Sequence, residues 1–121
     1  MSKELDQAFL DAVAEVNNQL TKWGEQNHPC LDQTLLNRER SCTPQRMCEN
    51  YEIPSETRAK FLCQNAFEKN EGTYAHIAVE ELSESISEFE PEKRYIEVIQ
   101  LAAVCINWAA KIKRIDLKKE S

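Results

Sequence analysis

Hydrophobic residues recur at helical spacing along most of the chain, and the first such stretch runs from Lys3 to Trp23. Its apolar side chains are three and four residues apart, which is the period of one face of an α-helix. They are Phe9, Val13, Val16, Leu20 and Trp23. Gly24 is placed to end this helix, because glycine readily adopts the conformation that follows a last helical turn. We expect this apolar face to point inward.

Between this helix and the next, the segment from Glu25 to Ser41 has weak periodicity and many hydrogen-bonding side chains. This composition predicts an ordered loop with about one helical turn. Two helix starts follow. Thr43 is the expected cap of a short helix that has Pro44 at its first position, and Ser55 is the expected cap of the next. The inner face of the helix after Ser55 is predicted to hold Ala59, Leu62, Cys63, Ala66 and Phe67.

Two longer helices complete the pattern. Thr73 is the expected cap of a helix that continues to Phe89, and Pro91 opens a last helix that runs to about Arg114. A short connection makes neighbouring helices antiparallel, so these two should pack side by side as a hairpin. The last helix is apolar around most of its circumference, which predicts a central position in the fold. The sequence therefore indicates an all-α bundle of four to five helices with a long loop after the first.

Glutamates are concentrated in the helix that precedes Pro91. At about 100° per residue, four of them share one arc that borders the apolar face: Glu80, Glu81, Glu84 and Glu88. The last helix has one narrow polar strip, formed by Glu97, Gln100, Asn107 and Lys111. If this strip faces the acidic arc across the hairpin, then Glu81, Glu84 and Glu97 converge on one point.

A convergence of three carboxylates has a chemical consequence, because carboxylates held together in a poorly solvated place repel one another and need a counter-ion. Carboxylate oxygens are hard ligands, and a set of glutamates suits Mg²⁺ or Mn²⁺ rather than zinc. A solvated acidic helix face balanced by scattered lysines is the alternative. The polar strip on the last helix favours the metal site.

Length and composition narrow the class of protein. The chain has 121 residues, which suits a single domain over residues 1–121. Only two glycines are present, too few for a glycine-rich phosphate loop. The net charge of −6 argues against binding to nucleic acid, which relies on Lys and Arg. No run approaches the ~18 apolar residues of a membrane span, and acids replace the apolar core of a signal peptide, so we expect a cytoplasmic protein.

The cysteines do not form a recognisable metal or disulfide pattern. There are five, Cys30, Cys42, Cys48, Cys63 and Cys105, without any CxxC pair. An odd number leaves at least one unpaired, which favours reduced thiols. A zinc site that uses His28 with nearby cysteines is disfavoured, because the spacing matches no common structural zinc pattern.

The stretch EELSE, from Glu80 to Glu84, is followed after twelve residues by EVIQ, from Glu97 to Gln100. This pair resembles the EExxE and ExxD signature of the MazG-like all-α nucleoside triphosphate pyrophosphohydrolases. Upstream, KWGEQNHP with its Trp-x-x-Gln spacing, Trp23 to Gln26, and GTYAHIAVEEL are similar to short phage and bacterial members of that group. The likeness extends over most of the chain and implies a MazG-like helical bundle.

The resemblance implies Mg²⁺-dependent cleavage between the α- and β-phosphates of an NTP or dNTP, with Mn²⁺ as a possible substitute. By position, Glu81, Glu84 and Glu97 would be metal ligands, and Glu80 would orient a ligand or water. Gln100 stands where the family has Asp. An amide oxygen is a neutral, weaker ligand, which bears on the number of bound ions and on the rate. The family builds its site near subunit contacts, which implies a homodimer or homotetramer.

Four further residues are candidates for substrate binding. Asn107 and Lys111 would hold phosphate or sugar, and a solvated helix end is the alternative for Lys111. Trp23 and Gln26 would stack on and hydrogen-bond the base, and for Trp23 a core position at the end of the first helix is the alternative. Two other functions stay open for the chain as a whole. One is a nucleotide- or metal-binding module weakened by Gln100, and the other is a purely structural helical interaction protein.

Overall fold

The computed structural model of the chain describes residues 2–38 and 42–119. No strand occurs among these residues, and the predicted all-α class is confirmed. The expected number of four to five helices is too low, because the described residues form six α-helices before the π-helical segment. The helices are α1 (Lys3–Trp23), α2 (Gln33–Arg38), α3 (Pro44–Asn50), α4 (Glu56–Glu68), α5 (Tyr74–Ser87) and α6 (Pro91–Lys111). A π-helical segment, Ile112–Asp116, and a last turn, α7 (Leu117–Lys119), follow α6.

Helix starts agree with the capping residues in the sequence. Ser2, Thr43, Ser55 and Thr73 each accept a hydrogen bond from a backbone N–H in the first turn of their helix. Such bonds satisfy donors that have no partner within the helix, which is why these boundaries are readable locally. The predicted loop after α1 contains the six residues of α2, and residues 39–41 of that loop lie outside the described residues. α5 ends at Ser87, two residues before the predicted Phe89.

The chain divides into two compact units, Met1–His28 with Ala103–Ser121, and Pro29–Ala102. The boundary between them falls within α6. The single domain expected for residues 1–121 stays a prediction.

In the first unit, α1 begins at its Ser2 cap and ends at Gly24, whose positive φ of 70° suits glycine. Glu4 of α1 pairs with Lys118 of α7 at 3.6 Å. The apolar residues of α1 were expected to point inward, and this expectation is wrong. Their side chains are exposed by 42–57 %: Phe9, Val13, Val16, Leu20 and Trp23. The period of the helix marks an apolar face but does not say what covers it.

In the second unit, α5 packs most closely against α4 and next against α3. A small core forms beside these helices from Leu31, Leu35 and Met47, with Ile86 and Phe89 packed against it. Of the predicted inner face of α4, Ala59, Cys63 and Ala66 are buried, whereas Leu62 and Phe67 are exposed. The side of α4 that meets α5 is therefore built from small residues, which allow two helices to approach closely.

The central position predicted for α6 is wrong. Only Ala110 of this helix is buried, and its first half exposes four large apolar side chains by 47–69 %: Tyr95, Ile96, Val98 and Ile99. By length and mean hydropathy alone, Pro91–Asp116 is a candidate membrane-spanning stretch, although its window is 6 % buried and core helices of soluble proteins meet the same criteria. An apolar circumference predicts burial without saying what provides it.

Candidate metal centre

The buried residues of α5 are all serines: Ser83, Ser85 and Ser87. Ser83 is fully buried, and its Oγ donates a hydrogen bond to the carbonyl oxygen of Pro54 at 2.9 Å. Ser87, one turn later, places its Oγ 3.4 Å from the Sγ of buried Cys48. These short side chains let α5 lie close to the elements that carry Pro54 and Cys48. Leu82, by contrast, is exposed.

The link between α5 and α6, residues 88–90, is held by one arginine. Arg94 donates from Nε to the carbonyl oxygen of Glu88 at 2.8 Å and from Nη2 to that of Phe89 at 3.0 Å. A guanidinium suits this task because its donors form a rigid planar fork. Sequence reasoning missed this role of Arg94. A signal for this role is present in the sequence. Arg94 lies in the first turns of α6, where the helix dipole disfavours a cation, and an arginine there suggests a partner outside the helix.

The predicted convergence of three glutamates is present. Glu81 and Glu84 of α5 and Glu97 of α6 bring carboxylate oxygens within 4.8 Å of one another. All three side chains are half-buried. The Oε2 atoms of Glu81 and Glu97 are buried without any hydrogen-bond partner. We call these three residues the glutamate cluster.

The cluster is electrostatically unfavourable as it stands. The pKa of Glu84 is raised to about 7, first by burial and then by the charges of Glu81, Glu97 and Glu80. Burial also raises the pKa of Glu81, with added repulsion from Glu97 and Glu80, while a hydrogen bond with Glu84 lowers it. Burial and the neighbouring charges thus favour the protonated form of Glu84. Near pH 7 the three residues therefore do not all carry full charge.

Glu80 lies beside the cluster and adds to its negative potential. It also interacts with Cys63, a buried thiol of α4. The pKa of Cys63 is raised to about 11, first by burial and then by a hydrogen bond to Glu80 and by the charge of that carboxylate. A thiol with so high a pKa stays protonated and donates to the carboxylate. This interaction between Cys63 and Glu80 was not predicted from the sequence.

The donor set fits a hard divalent cation. The cluster offers several carboxylate oxygens, two of them buried and without partners, and oxygen-only ligands suit Mg²⁺ or Mn²⁺. Gln100 is exposed and follows Glu97 by three residues on α6, a spacing that puts the two residues on the same side of the helix. The roles of Glu80, Glu81, Glu84, Glu97 and Gln100 at a metal stay predictions.

The four candidate substrate residues belong to the other unit. Trp23 is 57 % exposed with Lys22 Nζ 4.6 Å from its ring centroid, so the alternative of a core position is wrong. Gln26 and Asn107 are exposed. Lys111 Nζ donates to both oxygens of Asp116, at 2.8 and 2.9 Å. Substrate binding by these residues stays a prediction.

Comparisons with family models, with curated proteins and with solved structures give no match for this chain.

Proposed function

We propose that the protein is a Mg²⁺-dependent nucleoside triphosphate pyrophosphohydrolase, with the glutamate cluster as its metal site and an NTP or dNTP as substrate. The observation that carries this proposal is the convergence of Glu81, Glu84 and Glu97, with buried oxygens on two of them that have no partner. A cluster of this kind is costly unless a cation compensates it. The reaction class is proposed from the spacing of EELSE and EVIQ, which resembles the signature of the MazG-like pyrophosphohydrolases.

The residues of the chain have distinct tasks in this proposal. Glu81, Glu84 and Glu97 would hold the cation, and Glu80, steadied by Cys63, would accept a hydrogen bond from a water molecule near the cluster. With Mg²⁺ bound, the chemistry supplied is charge neutralisation at the phosphates and a lowered pKa for a coordinated water. No covalent intermediate on the protein is needed. The products are a nucleoside monophosphate and pyrophosphate.

The chain also has a surface suited to self-association, and we place the proposed enzyme in a homodimer or homotetramer. At about 100° per residue, Tyr95, Ile99 and Ala102 lie together on α6, roughly opposite to Glu97. All three are exposed. Contiguous apolar side chains of this kind mark an interaction surface. One side of α6 would thus complete the metal site while the other side meets a second copy.

The setting we propose is the cytoplasm. Five free cysteines, two of them buried, suit a reducing compartment, and free nucleoside triphosphates are the substrate. Binding to nucleic acid is not part of the proposal, since the net charge is −6 and non-specific binding to the phosphate backbone needs basic side chains. Binding to membranes is not part of the proposal either.

The test is a product analysis. Purified protein is incubated with Mg²⁺ and each of the eight common NTPs and dNTPs, and phosphorus NMR identifies the products. Monophosphate with pyrophosphate is expected, and chelation of the metal or Glu81→Gln should stop the reaction. Glu92→Gln, an exposed position in the first turn of α6, is the matched control. Release of orthophosphate, or no turnover of any nucleotide, would contradict the proposal.

A further inference from the structure

A second concave site lies in the same unit as the glutamate cluster, at the N-terminal ends of α3 and α4. It is a groove of about 790 Å³, within the range of small-molecule sites. Its walls come from the first turns of these two helices, and Ser87 of α5 closes one side. None of the residues that line it was predicted from the sequence to bind a ligand.

One wall of the groove is flat and aromatic. Phe61 is 55 % exposed although it lines a concave site. The guanidinium of Arg58 lies 5.5 Å from the centroid of the Phe61 ring. Because the guanidinium lies over one face of the ring, a flat heterocycle would stack on the outer face of this pair, while Arg58 donates hydrogen bonds at its edge.

The charge of the groove favours a neutral ligand. Arg58 contributes one positive charge, and Glu56, in the first turn of α4, contributes one negative charge. Glu56 also opposes the partial positive charge of the α4 N-terminus. The groove thus has both a donor and an acceptor without a net charge that would hold phosphate. Nucleobases match this character, since they have flat faces and edges with both donors and acceptors.

The groove and the glutamate cluster share helix α5. Ser87 follows Glu84 by three residues, which corresponds to about 4.5 Å along the helix and roughly 60° around it. A ligand with its phosphates at the cluster therefore has the groove within one helical turn.

We propose that this groove is the base subsite for the nucleotide, with Phe61 as the stacking surface and Arg58 and Glu56 as hydrogen-bonding partners at the base edge. The assignment rests on the proposed function for the phosphate end of the ligand. It transfers base binding from Trp23 and Gln26 to residues of α4.

The test separates the base from the phosphates. Phe61→Leu keeps an apolar side chain but removes the ring face, and Phe61→Tyr keeps the ring. Phe9→Leu, at an exposed position of α1, is the matched control, and Trp23→Leu tests the other stacking candidate. Saturation-transfer NMR with phosphate-free deoxynucleosides measures base binding, and steady-state kinetics with Mg²⁺ and the preferred nucleotide measure KM and kcat. Circular dichroism checks the folding of each variant.

We expect Phe61→Leu to abolish the nucleoside signal and to raise KM by about tenfold, with Mn²⁺ affinity unchanged. Phe61→Tyr and Phe9→Leu should keep both within about twofold of the parent protein. If Phe61→Leu behaves like the parent while Trp23→Leu loses binding, the subsite assignment is wrong. If the parent binds nucleosides through Phe61 but hydrolyses no nucleotide, the subsite stands and the proposed function falls.

Discussion

Glu81 and Glu97 reach each other from different helices, with carboxylate oxygens within 4.8 Å and one buried oxygen on each that has no hydrogen-bond partner. Helix α5 is fixed by its serines and α6 by the Arg94 fork on residues 88–90. The two carboxylates are therefore held together by contacts that do not involve the carboxylates themselves. If a cation binds at these carboxylates, the site does not first have to fold.

Removing one carboxylate from the cluster should separate stability from metal binding. We expect Glu81→Gln to lower Mn²⁺ affinity by about 100-fold or more. The same change should raise the melting temperature of the metal-free protein by about 3 °C, because it removes one of several charges that repel each other. Calorimetric titration and thermal unfolding in chelator measure the two effects. Glu92→Gln should change neither, and a lower melting temperature for Glu81→Gln would contradict the idea that the cluster is strained.

The raised pKa of Glu84 predicts how stability changes with pH. Because its pKa in the folded protein, about 7, lies above the usual 4.5, its favourable contribution is complete below about pH 4.5 and is lost as the pH rises through 7. The melting temperature of the metal-free protein should fall across this window, relative to that of Glu84→Gln. Saturating Mg²⁺ should restore it above pH 7, since binding needs the deprotonated carboxylate. Parallel pH profiles for the two proteins in chelator would refute this role for Glu84.

An aspartate at position 100 would add a fourth carboxylate to the proposed metal site. We expect Gln100→Asp to tighten Mg²⁺ and Mn²⁺ binding by about tenfold, because charge on the ligands raises affinity for hard cations. It should also lower the melting temperature in chelator. Turnover then decides between an active enzyme and a weakened binding module, since a sharp rise in rate identifies the module. Gln100→Asn is the control, and unchanged affinity for the Asp variant would place position 100 outside the metal site.

Arg94 offers a test of how the link positions the cluster. Arg94→Met removes the hydrogen bonds to Glu88 and Phe89, and we expect a loss of about 1–3 kcal/mol in the free energy of unfolding. Mn²⁺ affinity should fall as well, although Arg94 is no ligand. Lys93→Met is the matched control, because its pair with Glu90 is exposed on both sides and contributes little. Full Mn²⁺ affinity in Arg94→Met would show that the link does not position Glu97.

Parts of this structure were readable in the sequence, and others were not, for a physical reason. The caps Thr43, Ser55 and Thr73 act within one turn of chain, so local chemistry determines them. The glutamate cluster followed from helical spacing together with the expectation that the acids of α5 and the strip of α6 face each other. The burial of Ser83 in place of Leu82 could not be read in this way, because it depends on which side of α5 the backbone of Pro54 and Cys48 approaches.

The exposure of α6 leads to the last prediction, which concerns the partner of its apolar side. Since Tyr95, Ile99 and Ala102 lie roughly opposite to Glu97, a charge placed among them should break self-association and leave the metal site intact. We expect the parent protein to sediment as a dimer or tetramer, and Ile99→Glu to sediment as a monomer with unchanged helicity and Mn²⁺ affinity. Gln64→Glu adds the same charge at an exposed position of α4 and should leave the assembly unchanged. A monomeric parent protein would refute the proposed assembly, because a second copy would then not cover this surface.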